Sequence, residues 1–359
     1  METPGAAGSP HLPLWVDEKE PRSGIESLLQ QLRPLWKASE IRIKSFTDGI
    51  TNKLIGCYVD ETMQDVILVR LYGKMTELFV DRESEVKSFQ MLHAHSRAPE
   101  LYCTFQNGMC YEFMKGTVLD KWLLRESSTF RLVAEEMAQF HSVQTENCCL
   151  SEREPVLWKS LSVYLSILSA DKPMPMKDKS STVTNEVPNL DVLVREIDAL
   201  KEHLSHIKSP VVLCHNDLLC KNIIHNEAEG HVKFIDYEYT GYNYQAYDIG
   251  NHFNEYSGVN EVDYSLYPTQ EMQKEWLRTY LEIYKECTGG EALVTDQEVQ
   301  QLYVQVNKFA LAAHFSWGLW ALIQDRYSTI DFDFLRYASV RFRQYFKRKE
   351  EIWDLTLPH

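Results

Sequence analysis

In VVLCHNDLLCKNIIHNEAEGHVKFIDYEY, residues 211–239, His215, Asp217 and Asn222 fall in the order H-x-D-x4-N, and Asp236 follows Asp217 by 19 residues. These residue types at this spacing suit transfer of a phosphoryl group to a hydroxyl. That reaction needs one carboxylate to accept the proton of the attacking hydroxyl. It also needs an amide oxygen and a second carboxylate to hold Mg²⁺ against nucleotide phosphates. Asp217, Asn222 and Asp236 fit the three roles in that order. Taken singly none is informative, since a loop Asp is usually a turn former and a lone His usually a packing or hydrogen-bonding group. The joint spacing, with apolar β-type runs on either side, points to the chemistry. A rival reading makes His215, Asp217 and His225 ligands of a hydrolytic metal site, but it leaves Asn222 and Asp236 without a role.

The phosphate end of such a reaction needs positive charge. VILVRLY offers Arg70 on an apolar β-type run, and Glu85 in the following helical stretch is placed to pair with it and orient it. FTDGITNKL, residues 46–54, is a turn whose Gly49, Asn52 and neighbouring amides are candidates to cover phosphates, although an ordinary hairpin turn accounts for it as well. A second dense constellation is IDYEYTGYNYQAYDIGNHFNEY, residues 235–256. Within it Asp248 and Asn251 are candidates to brace the loop of Asp217 by hydrogen bonds, and Glu255 to face an ammonium group. Trp317 and Trp320, at i and i+3 on one helix face, could with Tyr337 wall a cation pocket, while periodicity alone favours a core stripe.

These residues must be positioned by two kinds of structure. From Ile41 the pattern is short β-rich runs, IRIKSF, KLIGCYV and VILVRLY. A helical stretch from about Asp81 to His95 follows, then LYCTF and CYEFM about an Asn107-Gly108 hairpin signal. Beyond Gly116 the character is helical, with Leu132, Val133, Met137 and Phe140 at helical spacing. Within that region VVLC and HVKFID are β-type, so a strand delivers the Asp217 loop and a hairpin brings Asn222 and Asp236 to one strand-pair mouth. Thr295-Asp296-Gln297-Glu298 is a capping box opening a long helix whose stripe is Val306, Ala310, Ala313, Trp317 and Trp320. The fold class expected is α+β. Residues 1–24, rich in Pro, Gly and Ser, read as a mobile arm, residues 25–115 as a small β-rich lobe covering nucleotide, and residues 116–359 as a larger helical lobe. DKPMPMKDKSSTVTNEVP, residues 171–188, reads as a surface loop.

The composition excludes several other classes. With 359 residues, 44% hydrophobic and 25% charged, the chain is neither disordered nor collagenous, and its length predicts two lobes. A net charge of −15 repels nucleic acid and attracts small cations, so phosphate binding must rest on local donors and a metal ion. The longest apolar stretch, Phe309 to Ile323, is interrupted by His314 and Ser316 and is too short to span a bilayer. No basic start precedes an apolar run at the N-terminus, so a cytoplasmic protein is expected. Eight cysteines without a CxxC pair read as reduced, mostly buried thiols.

FTDGITNKLIGCYV, VLVRLYG, CHNDLLCKNII, FIDYEYTGYNYQAYDIGNHFNE and HFSWGLWALIQ together resemble the choline/ethanolamine kinase family, its ethanolamine kinases most closely, from about residue 40 to 348. The resemblance implies a protein-kinase-like two-lobed fold, ATP with Mg²⁺, and phosphorylation of ethanolamine to phosphoethanolamine on the route to phosphatidylethanolamine. It implies Asp217 as the base, Asn222 and Asp236 as the metal pair, and Arg70 with Glu85 at the phosphates. It also implies Trp317, Trp320 and Tyr337 around the amino alcohol. The loop HNDLLCKN lacks the Gln and Gly usual in choline kinases. A primary ammonium has three N–H donors to satisfy where choline's nitrogen has none, so the two substrates ask for different pockets. The aromatic positions remain, so a choline or other amino-alcohol kinase stays open as an alternative, as does a silent kinase-like binding protein. A homodimer is compatible with the resemblance.

Overall fold

The computed structural model describes residues 9–46, 52–73, 80–144, 153–170, 187–290, 293–328 and 330–358. The chain divides into two compact units, Met1–Gly116 and Thr117–His359.

The first unit is a six-stranded sheet in the order β1-β5-β6-β4-β3-β2. Its strands are β1 (His11–Leu12), β2 (Arg42–Phe46), β3 (Lys53–Tyr58), β4 (Ile67–Leu71), β5 (Leu101–Phe105) and β6 (Gly108–Glu112), with helices α1 (Pro21–Leu32) and α2 (Arg82–Ala94). β4 is flanked on both sides and every residue in it is buried, the charged Arg70 included. Side chains alternate across a strand. Ile67, Val69 and Leu71 therefore join Ile25, Leu28 and Leu29 of α1 in one core, while Arg70 points to the other face.

Residues 9–24 depart from the expected arm. β1 pairs parallel with β5, His11 opposite Thr104 and Leu12 opposite Phe105, and Val16 is fully buried. Leu12, Leu14 and Val16 supply apolar surface that the Pro, Gly and Ser content obscures. The segment also satisfies a sheet edge that would otherwise present unpaired backbone groups. Pro21 opens α1, where its missing N–H is no loss.

The hairpin joining β5 and β6 turns at Gln106-Asn107, one residue earlier than the Asn-Gly signal suggests, because Gly108 is already in β6. A Cβ on Gly108 would lie 2.1 Å from the carbonyl oxygen of Arg70, so the glycine is required by close strand approach.

The second unit contains α3 (Ser127–His141), α4 (Val156–Ala170), α5 (Leu190–Ser205), α6 (Gln245–Glu255), α7 (Gln270–Thr288), α8 (Asp296–Tyr327) and α9 (Phe334–Trp353). Three short strands, β7 (Thr117–Val118), β9 (Ile223–Asn226) and β10 (His231–Phe234), form one sheet, and β8 (Val211–Cys214) pairs with β11 (Gly241–Tyr244). α8 opens on the expected capping box: Thr295 accepts from the N–H of Glu298, and the Glu298 carboxylate accepts from the N–H of Thr295. It is the central helix, packed by α6, α9, α4 and α7. α6 and α8 cross at Gly250, where a Cβ would meet the Val306 carbonyl oxygen at 2.6 Å and the Ala310 nitrogen at 2.8 Å. Among the described residues no helix is long and apolar enough to cross a membrane. The six described cysteines are unbonded, four of them buried. Cys148, Cys149 and residues 171–186 of the expected surface loop lie outside the described residues.

Candidate active site

β8 ends at Cys214 and delivers the loop that carries Asp217. His215 and Asn216 give this loop its shape. The Asp248 carboxylate, from the first turn of α6, accepts the N–H of His215 at 2.8 Å through Oδ2 and that of Asn216 at 2.7 Å through Oδ1. Asn216 adopts a left-handed conformation, φ 65°, which a short polar side chain tolerates when its own groups are bonded. They are: Nδ2 donates to the Tyr239 carbonyl at 2.9 Å, and Oδ1 accepts from Asn243 Nδ2 at 2.8 Å. Asn251 Nδ2 donates to the Asn216 carbonyl at 3.2 Å. The bracing expected of Asp248 and Asn251 is thus present.

His215 is buried behind the loop rather than offered to a metal. Its Nε2–H donates to the Ile235 carbonyl at 2.9 Å, and Nδ1 accepts the N–H of Asp217 at 3.3 Å. Burial lowers its pKa and keeps it neutral. With both nitrogens engaged, the hydrolytic metal reading loses its first ligand. Behind Asp248 stands His141 of α3, with Nε2 3.0 Å from Asp248 Oδ2 and Nδ1 2.7 Å from the Tyr280 hydroxyl of α7. Burial pushes Asp248 up, but His141 and the backbone N–H groups outweigh it and hold the carboxyl below its usual range. The sequence does not mark His141 and Tyr280 as partners of this loop, because they lie 107 and 32 residues from Asp248 and no spacing rule links them.

Asn222 precedes β9, and Asp236 lies two residues beyond the end of β10. Antiparallel pairing of Ile223 with Phe234 puts both at one end of the hairpin. Asn222 Nδ2 donates to the Asp217 carbonyl at 2.8 Å, and its N–H and carbonyl are taken by Leu219 and Ile235. Among the described residues the Asn222 amide oxygen is left as a hard ligand atom. With the Asp236 carboxylate it makes an all-oxygen set of the kind that Mg²⁺ prefers, so these residues fit that ion. Asp236 has φ 67°, a strained conformation for a residue with a Cβ. Burial raises the Asp217 pKa well above the usual carboxylate range, and the charges of Asp236, Glu255 and Glu238 raise it further. Such a cluster of carboxylates calls for cations.

The aromatic candidates share the helical unit with Asp217. Trp317 and Trp320 meet edge to face, centroids 5.2 Å apart, and Tyr239 packs on Trp317 at 5.5 Å. Trp317 Nε1 donates to Asn251 Oδ1 at 2.8 Å and Trp320 Nε1 to the Tyr239 hydroxyl at 2.9 Å, so both rings are tied to groups that also hold the loop. Tyr239 and Asn251 are contributions that the sequence pattern did not single out as aromatic-site partners. Tyr337, on α9, is buried, with the Arg341 guanidinium 5.5 Å from its ring centroid. Glu255 closes α6 and is also buried, its Oε1 accepting from Arg341 Nη1 at 2.8 Å.

In the sheet unit, Arg70 Nη1 lies 2.9 Å from Glu85 Oε1, both side chains buried, and Arg82 Nη1 reaches Glu85 Oε2 at 2.7 Å. The Glu85 charge is thus shared by two arginines. Asn52 Oδ1 accepts from the N–H of Gly73 at 3.4 Å. Gly49 lies outside the described residues.

A β-sheet unit with a buried Arg–Glu pair, followed by a helical unit presenting an H-x-D-x4-N loop and a returning Asp, defines a phosphotransferase with the protein-kinase-like fold. Residues 43–346 match the family described as Choline/ethanolamine kinase, and the chain belongs to that family. It is 56% identical over 355 residues to human ethanolamine kinase 2, covering 99% of this chain and 88% of that one. It is 54% identical to human ethanolamine kinase 1, covering 99% and 78%. Among solved structures it is similar to an ethanolamine kinase of Plasmodium vivax, with a TM-score of 0.80, 30% identity, and coverage of 92% and 89%.

Proposed function

We propose that this chain is an ATP-dependent ethanolamine kinase, transferring the γ-phosphoryl group directly to the hydroxyl of ethanolamine to give phosphoethanolamine, the entry to phosphatidylethanolamine synthesis. The observation that carries it is the loop that presents Asp217, braced by the Asp248 carboxylate, with Asn222 bonded to the Asp217 carbonyl and standing with Asp236 at one end of the adjoining hairpin. The names and identity of its relatives support the choice of amino alcohol.

Asp217 orients the hydroxyl and accepts its proton; the charges of Mg²⁺ and of the substrate ammonium would keep its carboxylate ionised against the burial and neighbouring carboxylates that raise its pKa. Asn222 and Asp236 hold Mg²⁺, which neutralises charge on the nucleotide phosphates when bound. Arg70, oriented by Glu85, adds positive charge for a phosphate, with Asn52 in the same unit. Glu255, Trp317, Trp320 and Tyr337 receive the amine end. Asp248 holds the backbone of the loop so that Asp217 is in place before substrate binds.

The aromatic walls favour a second reading, choline as acceptor, since cation-π attraction of ~0.5–2 kcal/mol per contact needs no N–H. The test is Mg·ATP-dependent phosphorylation of ethanolamine and choline in parallel, with Asp217→Ala as the blank. Ethanolamine preference abolished by the substitution supports the proposal. Activity on choline alone moves the assignment to the second reading, and activity on neither overturns both.

A further inference from the structure

We propose that Arg341 is a positioning residue for the amine end of the substrate, holding Glu255 and the Tyr337 ring where they meet the ammonium group; the inference rests on the ethanolamine kinase reading above. Arg341 is 1% exposed and Glu255 4%. Nη1 of the arginine donates to Glu255 Oε1 at 2.8 Å, and the guanidinium lies 5.5 Å from the centroid of Tyr337. One buried cation therefore fixes two of the four side chains assigned to the amine.

The chemistry of the pair is compatible with a cationic ligand. The ion pair engages one oxygen of Glu255, and a carboxylate has a second with which to accept from an ammonium N–H. The charge of Glu255 also bears on Asp217, so the pair lies close enough to influence the proton acceptor.

The guanidinium is poorly provided for as a stabilising element. Its Nε and Nη2 are buried with no hydrogen-bond partner among the described residues, as are the Tyr264 hydroxyl and His314 Nδ1, both of which feel its charge. A well-packed apolar residue of similar volume commonly serves an interior better than an ion pair with unspent donors. An arginine here is explained by orientation: its long, planar and always charged guanidinium reaches Glu255 through Nη1 while lying by the Tyr337 ring, contacts that a methionine cannot make and a lysine makes with a different geometry.

The experiment compares Glu255→Gln, Arg341→Met, Arg341→Lys and the double variant Glu255→Gln/Arg341→Met with the wild-type chain, reading KM for ethanolamine and for ATP separately. Loss of a charged hydrogen bond predicts an ethanolamine KM raised about tenfold or more in Arg341→Met, with the ATP KM within about twofold. Because part of the effect of Arg341 passes through Glu255, the double variant should raise the ethanolamine KM by less than the product of the two single effects. Should Arg341→Met fail to fold, Arg341→Lys carries the test, with a severalfold rise in ethanolamine KM expected. A raised KM in Glu255→Gln with an unchanged one in the Arg341 variants overturns the inference alone. Ethanolamine and ATP KM rising together in the Arg341 variants also overturns it, since that is the signature of a merely structural role. An unchanged KM in Glu255→Gln overturns the amine-site reading and this inference with it.

Discussion

The carboxylate of Asp248 and the backbone of Asn216 are joined by a 2.7 Å hydrogen bond across 32 residues of sequence, beside the 2.8 Å bond from the same side chain to His215 N–H. One buried side chain thereby satisfies two N–H groups of a loop in which Asn216 is left-handed. In Asp248→Asn one of those N–H groups would face an amide N–H₂. The expected result is a stability loss of about 2–4 kcal/mol and a lower kcat, measured by urea unfolding and steady-state kinetics. Unchanged stability would contradict the bracing role.

Asp217→Ala should separate chemistry from binding. Loss of a general base lowers kcat about 10²–10⁴-fold, while ATP affinity measured by calorimetry should stay within about threefold. Equal loss of turnover and nucleotide binding would mean that Asp217 serves the nucleotide rather than the hydroxyl.

Trp317 links the aromatic wall to the loop, because its indole N–H donates to Asn251 Oδ1 and Asn251 in turn donates to the Asn216 carbonyl. Trp317→Phe keeps a ring and removes the donor. A hydrogen bond worth about 1 kcal/mol predicts a rise in ethanolamine KM of about fivefold, and Trp317→Ala should cost more. Kinetics with ethanolamine and choline as alternative acceptors would check it. Equal KM values in Trp317→Phe and wild type would show that the ring acts without its N–H.

His252 predicts a pH effect on stability. It is fully buried, with Nδ1 2.9 Å from the Leu218 carbonyl, and burial lowers its pKa from 6.5 to about 4. The folded state therefore favours the neutral ring. Its contribution is complete above pH 6.5 and is lost as pH falls from there toward 4, on the order of 3 kcal/mol in all. The difference in unfolding free energy between wild type and His252→Gln should shrink across that window. A difference independent of pH would refute the assignment.

Gly250→Ala tests the crossing of α6 and α8. The added methyl would lie 2.6 Å from the Val306 carbonyl oxygen and 2.8 Å from the Ala310 nitrogen. Backbone atoms cannot move aside as a flexible side chain can, so a loss of about 1–3 kcal/mol is expected in thermal or urea unfolding. Because α6 carries Asp248 and Glu255, kcat/KM for ethanolamine should fall as well.

The reacting groups were legible in the chain because their spacing is local. Asn222 and Asp236 are held by one hairpin, Asp217 lies five residues before Asn222, and a hairpin's register follows from its own alternating residues. The capping box of α8 and the apolar run of β4 are likewise short-range patterns read from adjacent residues. The composition of the N-terminal segment is that of a loop, while the fate of Leu12 and Val16 depends on the edge of β5 and its turn, about 90 residues away. The same holds for the supports of the site. His141 on Asp248, Trp317 on Asn251 and Arg341 on Glu255 join residues 66 to 107 apart, and no periodicity within one element encodes which partners meet. The sequence by itself determined which groups are present and the order in which they occur. Only helix packing about α8 decided which carboxylates are buried together and which are paired. Burial and neighbouring charge, not residue type, set whether a carboxylate accepts a proton, holds a loop or balances an arginine.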